Sequence, residues 1–115
     1  MNKPILSVYL YRNKRKGLIV VWTKNKIAAI LNRSNEAVER AVVGIYATQP
    51  TDKKNNLGYS DSDYATYSKL ARIIILNPNN KPLGSRLSVK QLNNARRTMK
   101  KYIHQLLYIS NGTNQ

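Results

Sequence analysis

Few residues of this 115-residue chain have the chemistry to form a catalytic site. Asp61 and Asp63 form a D-x-D pattern, and such carboxylates can hold a metal ion. Their position at the start of a predicted helix gives a simpler interpretation, since carboxylates there cap the helix and favour its positive end. His104 is the one histidine, no cysteine is present, and the five glycines are scattered rather than gathered in a phosphate-binding loop. The sequence therefore predicts a protein that is not an enzyme and that needs no metal or cofactor.

The chemistry that the chain does offer is cationic. It carries 20 Lys and Arg against 5 Asp and Glu, a formal net charge of +15. Residues 1–33 and 64–115 hold eight and nine of these cations and no acid. Such an excess favours binding to a phosphate backbone, although a strongly charged, solvated surface has the same composition. No apolar run approaches the length of a membrane span, so we expect nucleic acid rather than a membrane as the partner.

The strongest helical pattern lies in residues 88–110. Its apolar residues recur at steps of three and four, as on one face of an α-helix: Val89, Leu92, Ala95, Met99, Ile103 and Leu106. Ser88 and Gln91 have the spacing of a capping box. The opposite face collects polar and basic residues: Lys90, Arg97, Lys101, His104 and Tyr108. We therefore expect this helix to close a core with one face and to contact something anionic with the other.

The N-terminal residues 1–22 predict a β-hairpin. Residues 5–11 and 18–22 are rich in β-branched and aromatic side chains, and the sequence RNKRKG separates them. Its tip would present four cations: Arg12, Lys14, Arg15 and Lys16. They could contact a phosphate backbone, or they could simply block pairing at the edge of a sheet.

Residues 23–47 resemble a helix-turn-helix pattern. Thr23 and Ser34 are suited to cap two successive helices, and small and apolar residues recur at the expected positions: Ile27, Ala28, Leu31 and Val38. On this interpretation the second helix would present its first turns to a major groove, through Ser34, Asn35, Ala37 and Arg40. Glu36 and Glu39 count against it, and a plain helical hairpin has the same spacing.

The remaining segments complete a single domain over residues 1–115. Residues 48–59 and 77–87 contain the Pro, Asn and Gly of loops, and residues 60–76 form a third helix with Ser60 and Asp63 as a possible capping box. We therefore expect an α+β fold that is mainly α, with an N-terminal hairpin and about four helices around one core.

Arg96 falls within the apolar arc of the last helix, where a guanidinium needs partners. The acids of the middle segment are the candidates, and we predict a structural ion pair with Asp63 or Asp61, or a contact with Glu36. Tyr9, Tyr11 and Tyr108 adjoin basic residues and are candidates for stacking on unpaired bases, although packing explains most aromatic residues in helices and strands. The predicted contacts to nucleic acid are Arg12, Lys14, Arg15, Lys16, Lys24, Lys26, Arg33, Arg40, Lys90, Arg97, Lys100, Lys101 and His104.

About two-thirds of the chain resembles a small module of bacteriophage and phage-like sequences. The segments ERAVVGIYATQ, NNLGYSDSDY and LSVKQLNNARRTMKKYIHQL carry the resemblance. Its first part matches at Asn56, Gly58, Tyr59, Ser60 and Asp63, whereas Leu57 stands where the pattern more often has glycine or valine. Its second part matches at Leu87, Ser88, Lys90, Gln91, Ala95, Arg96, Lys101, Tyr102, Gln105 and Leu106. The module occurs as short stand-alone phage proteins and beside or within phage helicase-like proteins, so the resemblance implies a phage origin and a nucleic-acid context.

These observations predict a small, basic phage protein that binds nucleic acid without catalysis in the cytoplasm of an infected bacterium. DNA is favoured over RNA. Two alternatives stay open: a factor that binds and redirects a host or phage protein, and a ribosomal or RNA-assembly protein. The sequence identifies no dimer face and leaves the oligomeric state open.

Overall fold

The computed structural model describes residues 22–48 and 58–111. Five α-helices and one 3₁₀ turn account for most of this part, in the order α1 (Lys24–Arg33), α2 (Asn35–Ala47), α3 (Asp61–Leu76), α4 (Val89–Met99), the 3₁₀ turn Lys100–Tyr102 and α5 (Ile103–Asn111). The prediction of a mainly helical chain is confirmed. The predicted hairpin, apart from Trp22, and residues 49–57 of the first loop lie outside the described residues.

Three of the four predicted helix starts are capped as the sequence indicates. Thr23 Oγ1 accepts from the backbone N–H of Lys26 at 3.2 Å, and Ser34 Oγ accepts from that of Ala37 at 3.0 Å. Ser88 and Gln91 form the full capping box, with bonds of 3.1 and 2.9 Å. These caps satisfy N–H groups that a helix leaves without an internal partner.

The capping box predicted at Ser60 and Asp63 is wrong. Ser60 is the N-cap residue of α3, but its side chain forms no capping hydrogen bond. Its hydroxyl lies instead 3.4 Å from Asp63 Oδ2, and its backbone N–H donates to the hydroxyl of Tyr102 at 3.1 Å. Tyr102 of the 3₁₀ turn has therefore replaced Asp63 as the partner of the Ser60 N–H.

The centre of the fold is α2, which contacts each of the other four helices. Val38, Ala41, Val42 and Ile45 are completely buried there. The side chains of α2 that are not buried lie mainly along one strip of the helix, formed by Glu36, Arg40, Val43 and Ala47. A helix that is apolar on most sides lies inside a protein, and this explains why the other helices surround it.

Glu39 fixes the connection between α3 and α4. Its side chain is fully buried, and its carboxylate accepts from the backbone N–H groups of Gly84 at 2.6 Å, Arg86 at 2.9 Å and Leu87 at 2.8 Å. Gly84 has a φ of +96°, and a Cβ there would lie 3.2 Å from the backbone N of Glu36. The close approach of this segment to α2 therefore depends on the glycine as well as on the carboxylate.

Two side-chain amides attach the last helix to other parts of the chain. Gln105 accepts from the N–H of Gly58 at 2.8 Å and donates to its carbonyl at 3.1 Å. Asn111 accepts from the N–H of Trp22 at 2.9 Å and donates to its carbonyl at 3.2 Å. Each amide thus pairs with both polar groups of one backbone residue, as a neighbouring strand would.

Candidate nucleic-acid interface

The exposed face of α4, the 3₁₀ turn and α5 carries a group of basic residues that we call the basic ridge. It consists of Lys90, Arg97, Lys100, Lys101 and His104, which are all exposed. The predicted helix 88–110 is continuous in its helical course but tightens at Lys100, whose N–H bonds to the carbonyl of Arg97. The buried side of the same run holds Leu92, Ala95, Met99, Tyr102 and Leu106. The predicted apolar face is therefore confirmed at Leu92, Ala95, Met99 and Leu106, Ile103 is partly buried, and the prediction is wrong at Val89, which is 75% exposed at the first turn of α4.

The basic ridge has a central row of three residues and one lysine on each side of that row. Lys90, Arg97 and His104 follow each other at seven-residue steps and so point in nearly the same direction, over about 21 Å of helix. Lys100 and Lys101 are neighbours in the 3₁₀ turn, and the rotation of about 120° per residue there directs them to opposite sides of this row.

Hydrogen bonds identify the helix on each side of the basic ridge. On one side lies α1, because Arg96 Nε donates to the carbonyl of Leu31 at 2.7 Å and Asn111 pairs with Trp22. These contacts also show that α1 runs antiparallel to α4 and α5. On the other side lies the start of α3, where Lys101 Nζ is 3.1 Å from Asp63 Oδ2.

Lys101 is part of a network that includes Asp63 and Tyr102. The hydroxyl of Tyr102 donates to Asp63 Oδ2 at 2.6 Å. Burial alone would raise the pKa of Asp63, but the hydrogen bonds from Tyr102 and Lys101 outweigh it and lower that pKa. The same contact raises the pKa of Lys101, and burial followed by the bond to Asp63 raises the pKa of Tyr102. The carboxylate is thereby kept ionised behind the ridge.

The acids within residues 22–48 and 58–111 do little to neutralise the basic ridge. Glu39 is buried against backbone N–H groups, and Glu36 lies 3.6 Å from Arg40 on α2. Asp63 contacts the ridge, but only at Lys101. Lys90, Arg97, Lys100 and His104 form no ion pair with any of these carboxylates. Lys90, Arg97 and Lys100 therefore keep their charge available for an anionic partner.

Three further predicted contacts lie on α1, next to the basic ridge. Lys24, Lys26 and Arg33 are all exposed. Lys24 and Lys26 follow Trp22, which pairs with Asn111 at the end of α5, and Arg33 follows Leu31, which accepts from Arg96 of α4. The antiparallel course of α1 thus places cations beside both ends of the ridge. Arg12, Lys14, Arg15 and Lys16 lie outside the described residues.

The helix-turn-helix interpretation of α2 is wrong at Ala37, one of the four residues that it assigns to contacts with DNA. The two helices are present and Ser34 alone joins them, but Ala37 is completely buried and Ser34 is occupied as the cap. Asn35 accepts a hydrogen bond from Arg96. Arg40 is only partly exposed and faces Glu36. Ala37 therefore cannot contact DNA, whereas Asn35 is exposed at the start of α2.

The predicted ion pair of Arg96 is also wrong in its partners. Arg96 is half-buried at the edge of the core, as its spacing indicates. Its guanidinium donates to the carbonyl of Leu31 and to the side-chain oxygens of Asn93 and Asn35. Asp63 pairs instead with Lys101, because the start of α3 lies beside the 3₁₀ turn and not beside the middle of α4. Arg96 thus braces α4 against α1 and α2 through neutral acceptors.

The described tyrosines belong largely to the core. Tyr59, Tyr67 and Tyr102 pack together, with ring centroids 5.5 Å apart for Tyr59 and Tyr67 and 5.3 Å apart for Tyr59 and Tyr102. Their hydroxyls bond to the carbonyl of Val42, to Thr98 and to Asp63, respectively. Of the three predicted stacking residues, Tyr108 is 43% exposed on α5, and Tyr9 and Tyr11 lie outside the described residues.

The sequence patterns did not anticipate the roles of Glu39, Gln105 and Asn111. Glu39 lies among apolar residues of α2, and a lone carboxylate in such a position needs buried donors. The position of Glu39 among apolar residues was therefore a signal in the sequence that it has buried donors, but the sequence does not show which segment of the chain supplies them. Gln105 and Gly58 occur in two separate segments of the sequence, NNLGYSDSDY and LSVKQLNNARRTMKKYIHQL, and their contact shows that these segments meet in the fold.

Asp61 and Asp63 lie in the first turn of α3, as the capping interpretation predicts for their position. The described residues contain no group of three or more His, Cys, Asp or Glu side chains that could hold a metal ion. Nor does any helix in residues 22–48 and 58–111 have the length and apolar character needed to cross a bilayer. Comparisons of the chain with protein families, characterised proteins and solved structures give no match.

Proposed function

We propose that this chain is a small phage protein that binds nucleic acid, DNA in preference to RNA, through phosphate contacts and without catalysing a reaction. The observation that carries the proposal is the basic ridge, whose cations Lys90, Arg97 and Lys100 are exposed and form no ion pair with the described acids. Phosphate contacts release counterions from the nucleic acid, and this release favours binding to such a surface.

The proposal extends to the cations around the basic ridge. Lys24, Lys26 and Arg33 would widen the surface along α1, and the predicted β-hairpin would add Arg12, Lys14, Arg15 and Lys16 in an α+β fold. The phage origin, and with it the cytoplasm of an infected bacterium as the place of action, is supported by the sequence resemblance alone.

A salt series of binding measurements tests the proposal. The protein is titrated with duplex DNA, single-stranded DNA and RNA of random sequence from low to high salt. We expect binding that weakens steeply with salt and that is tightest for DNA. For duplex DNA, the logarithm of the binding constant falls by about 0.9 per decade of salt for each neutralised phosphate. Replacement of Lys90, Arg97 and Lys100 by Gln should therefore reduce this slope by up to about 3.

A second triple variant provides the matched control. Lys69, Arg72 and Lys81 are exposed cations outside the basic ridge, and their replacement by Gln removes the same amount of charge. We expect this control to leave the slope nearly unchanged. Equal loss of slope in both variants would show that net charge alone acts, and absence of binding to all three nucleic acids at low salt would refute the proposed function.

A further inference from the structure

We infer that the basic ridge enters the major groove of duplex DNA, with Arg97 at the base edges and Lys100 and Lys101 on the two phosphate walls. The inference rests on the proposed function. It adds that the nucleic acid is a duplex, that the major groove is the groove contacted, and that Arg97 is the residue that contacts the bases. It places the reading element on the last helical run of the chain and not on α2, which the helix-turn-helix interpretation would use.

The shape of the basic ridge suits a major groove. This groove in B-form DNA is about 12 Å wide and admits an α-helix, whereas the major groove of A-form RNA is too narrow for side chains to read. A helix in such a groove directs the middle of its exposed face to the bases and its two sides to the phosphates. The central row through Arg97 and the opposite directions of Lys100 and Lys101 match this division.

Arg97 has the chemistry and the support of a residue that reads a base. Its guanidinium donates to Asn94 Oδ1 at 2.8 Å, one helical turn earlier on α4, and keeps further N–H groups free to donate. Arginine pairs with the O6 and N7 acceptors of guanine, and asparagine pairs with adenine. Asn93 and Asn94 are both exposed, so the N-terminal half of the ridge offers amide and guanidinium groups together.

Lys101 is positioned for a phosphate wall. Asp63 Oδ2 holds its ammonium group from the side of α3, and Tyr102 and Ser60 in turn hold that carboxylate. An ammonium has three N–H donors, so contact with Asp63 leaves donors for a phosphate oxygen, and the charge of Asp63 makes this the weaker of the two phosphate contacts. Lys100, on the side of α1, has no ion pair with a described carboxylate and is free to contact the opposite wall.

The placement of the tyrosines argues for duplex rather than single-stranded nucleic acid. Proteins that bind single strands stack the bases on exposed aromatic side chains between basic residues. Here Tyr59, Tyr67 and Tyr102 are buried and bonded within the core. Between Lys90 and His104 the exposed face of the ridge carries no aromatic side chain, and the exposed Tyr108 lies one turn beyond it.

Dimethyl sulfate footprinting tests the inference, because this reagent methylates guanine N7 in the major groove and adenine N3 in the minor groove. The probe is a duplex enriched from a random pool by the wild-type protein. We expect protection of guanine N7 and none of adenine N3. Arg97→Gln should abolish the N7 protection and reduce the preference for that guanine by roughly tenfold. Lys69→Gln is the control on α3 and should preserve both.

The outcomes separate the inference from the proposed function. Duplex binding with protection at adenine N3, with no protected base, or with N7 protection that survives Arg97→Gln would overturn the inference and leave the proposed function standing. Preference for single-stranded DNA or for RNA would overturn it as well. Absence of any nucleic-acid binding would overturn both. A melting curve for Arg97→Gln that matches that of the wild type excludes misfolding as the cause of lost protection.

Discussion

Replacing Glu39 by Gln tests whether the buried carboxylate holds the connection between α3 and α4. The carboxylate accepts three backbone N–H groups, two at Oε2 and one at Oε1. An amide has one acceptor oxygen, so the substituted side chain would leave at least one N–H of Gly84, Arg86 or Leu87 facing an NH₂ group. An unsatisfied buried donor costs about 1–3 kcal/mol, and the retained bonds lose the strength that the charge gives them. We expect a total loss of about 3 kcal/mol in the free energy of unfolding.

The assay is chemical denaturation near neutral pH, followed by circular dichroism, with Glu36→Gln as the matched control. Glu36 lies on the same helix, and the substitution removes the same charge. Its pair with Arg40 at 3.6 Å is partly exposed and should contribute no more than about 1 kcal/mol. Hydrogen exchange provides a local measurement, since the amides of Gly84, Arg86 and Leu87 should exchange faster in Glu39→Gln. The reasoning is refuted if the two substitutions cost the same, or if those three amides keep their exchange rates.

Three further predictions concern the contacts of the last helical run. Because the folded pKa of Asp63 lies below its unfolded value of about 3.9, the stabilisation it provides is present above that pH and is lost as the pH falls through the folded pKa. The unfolding free energies of wild type and Asp63→Asn, measured by denaturation across this range, should therefore converge at low pH, and a constant difference would contradict this. Gln105→Glu would place a carboxylate oxygen against the carbonyl oxygen of Gly58. The melting temperature of this variant relative to wild type should therefore fall at neutral pH and recover once the new carboxyl group is protonated. A difference in melting temperature that does not depend on pH would count against the two-bond contact. Arg96→Lys loses the Nε contact to the carbonyl of Leu31 and should lower the free energy of unfolding, measured by denaturation, by about 1–2 kcal/mol. The loss should be the same at low and high salt, because the acceptors of Arg96 are neutral. A loss that becomes smaller at high salt would support the ion-pair hypothesis instead.

The parts of the fold that sequence could predict are those that depend on neighbours three or four residues apart. Thr23, Ser34 and the Ser88–Gln91 box cap their helices as expected, because a cap is decided within one turn. The exposed position of Lys90, Arg97 and Lys101 follows in the same way from the helical repeat. Such patterns fix the face on which a side chain lies, and they leave open what lies opposite to it.

The wrong predictions concern features that depend on contacts between segments that are distant in sequence. The helical repeat correctly placed Arg96 at the edge of the core, but which helix packs beside it depends on the tertiary arrangement, and amides and a carbonyl took the place of the expected acids. The helix-turn-helix pattern likewise described α1 and α2 correctly as a pair of helices. Ala37 and Gly44, on the side that a surface helix would expose, were the signal that α2 is buried on most sides.

The pairing of Asn111 with Trp22 brings the two ends of the described helical body next to each other. These residues are 89 positions apart in sequence, yet one side-chain amide joins both polar groups of Trp22 to the end of α5. The chain therefore enters and leaves the helical body at one corner. A short linker could join the two points without distorting the helices, and new ends could be opened at an exposed loop elsewhere. In such a circular permutant the order of the helices would change while their packing around α2 stayed the same, because the amide contact already brings the two points together.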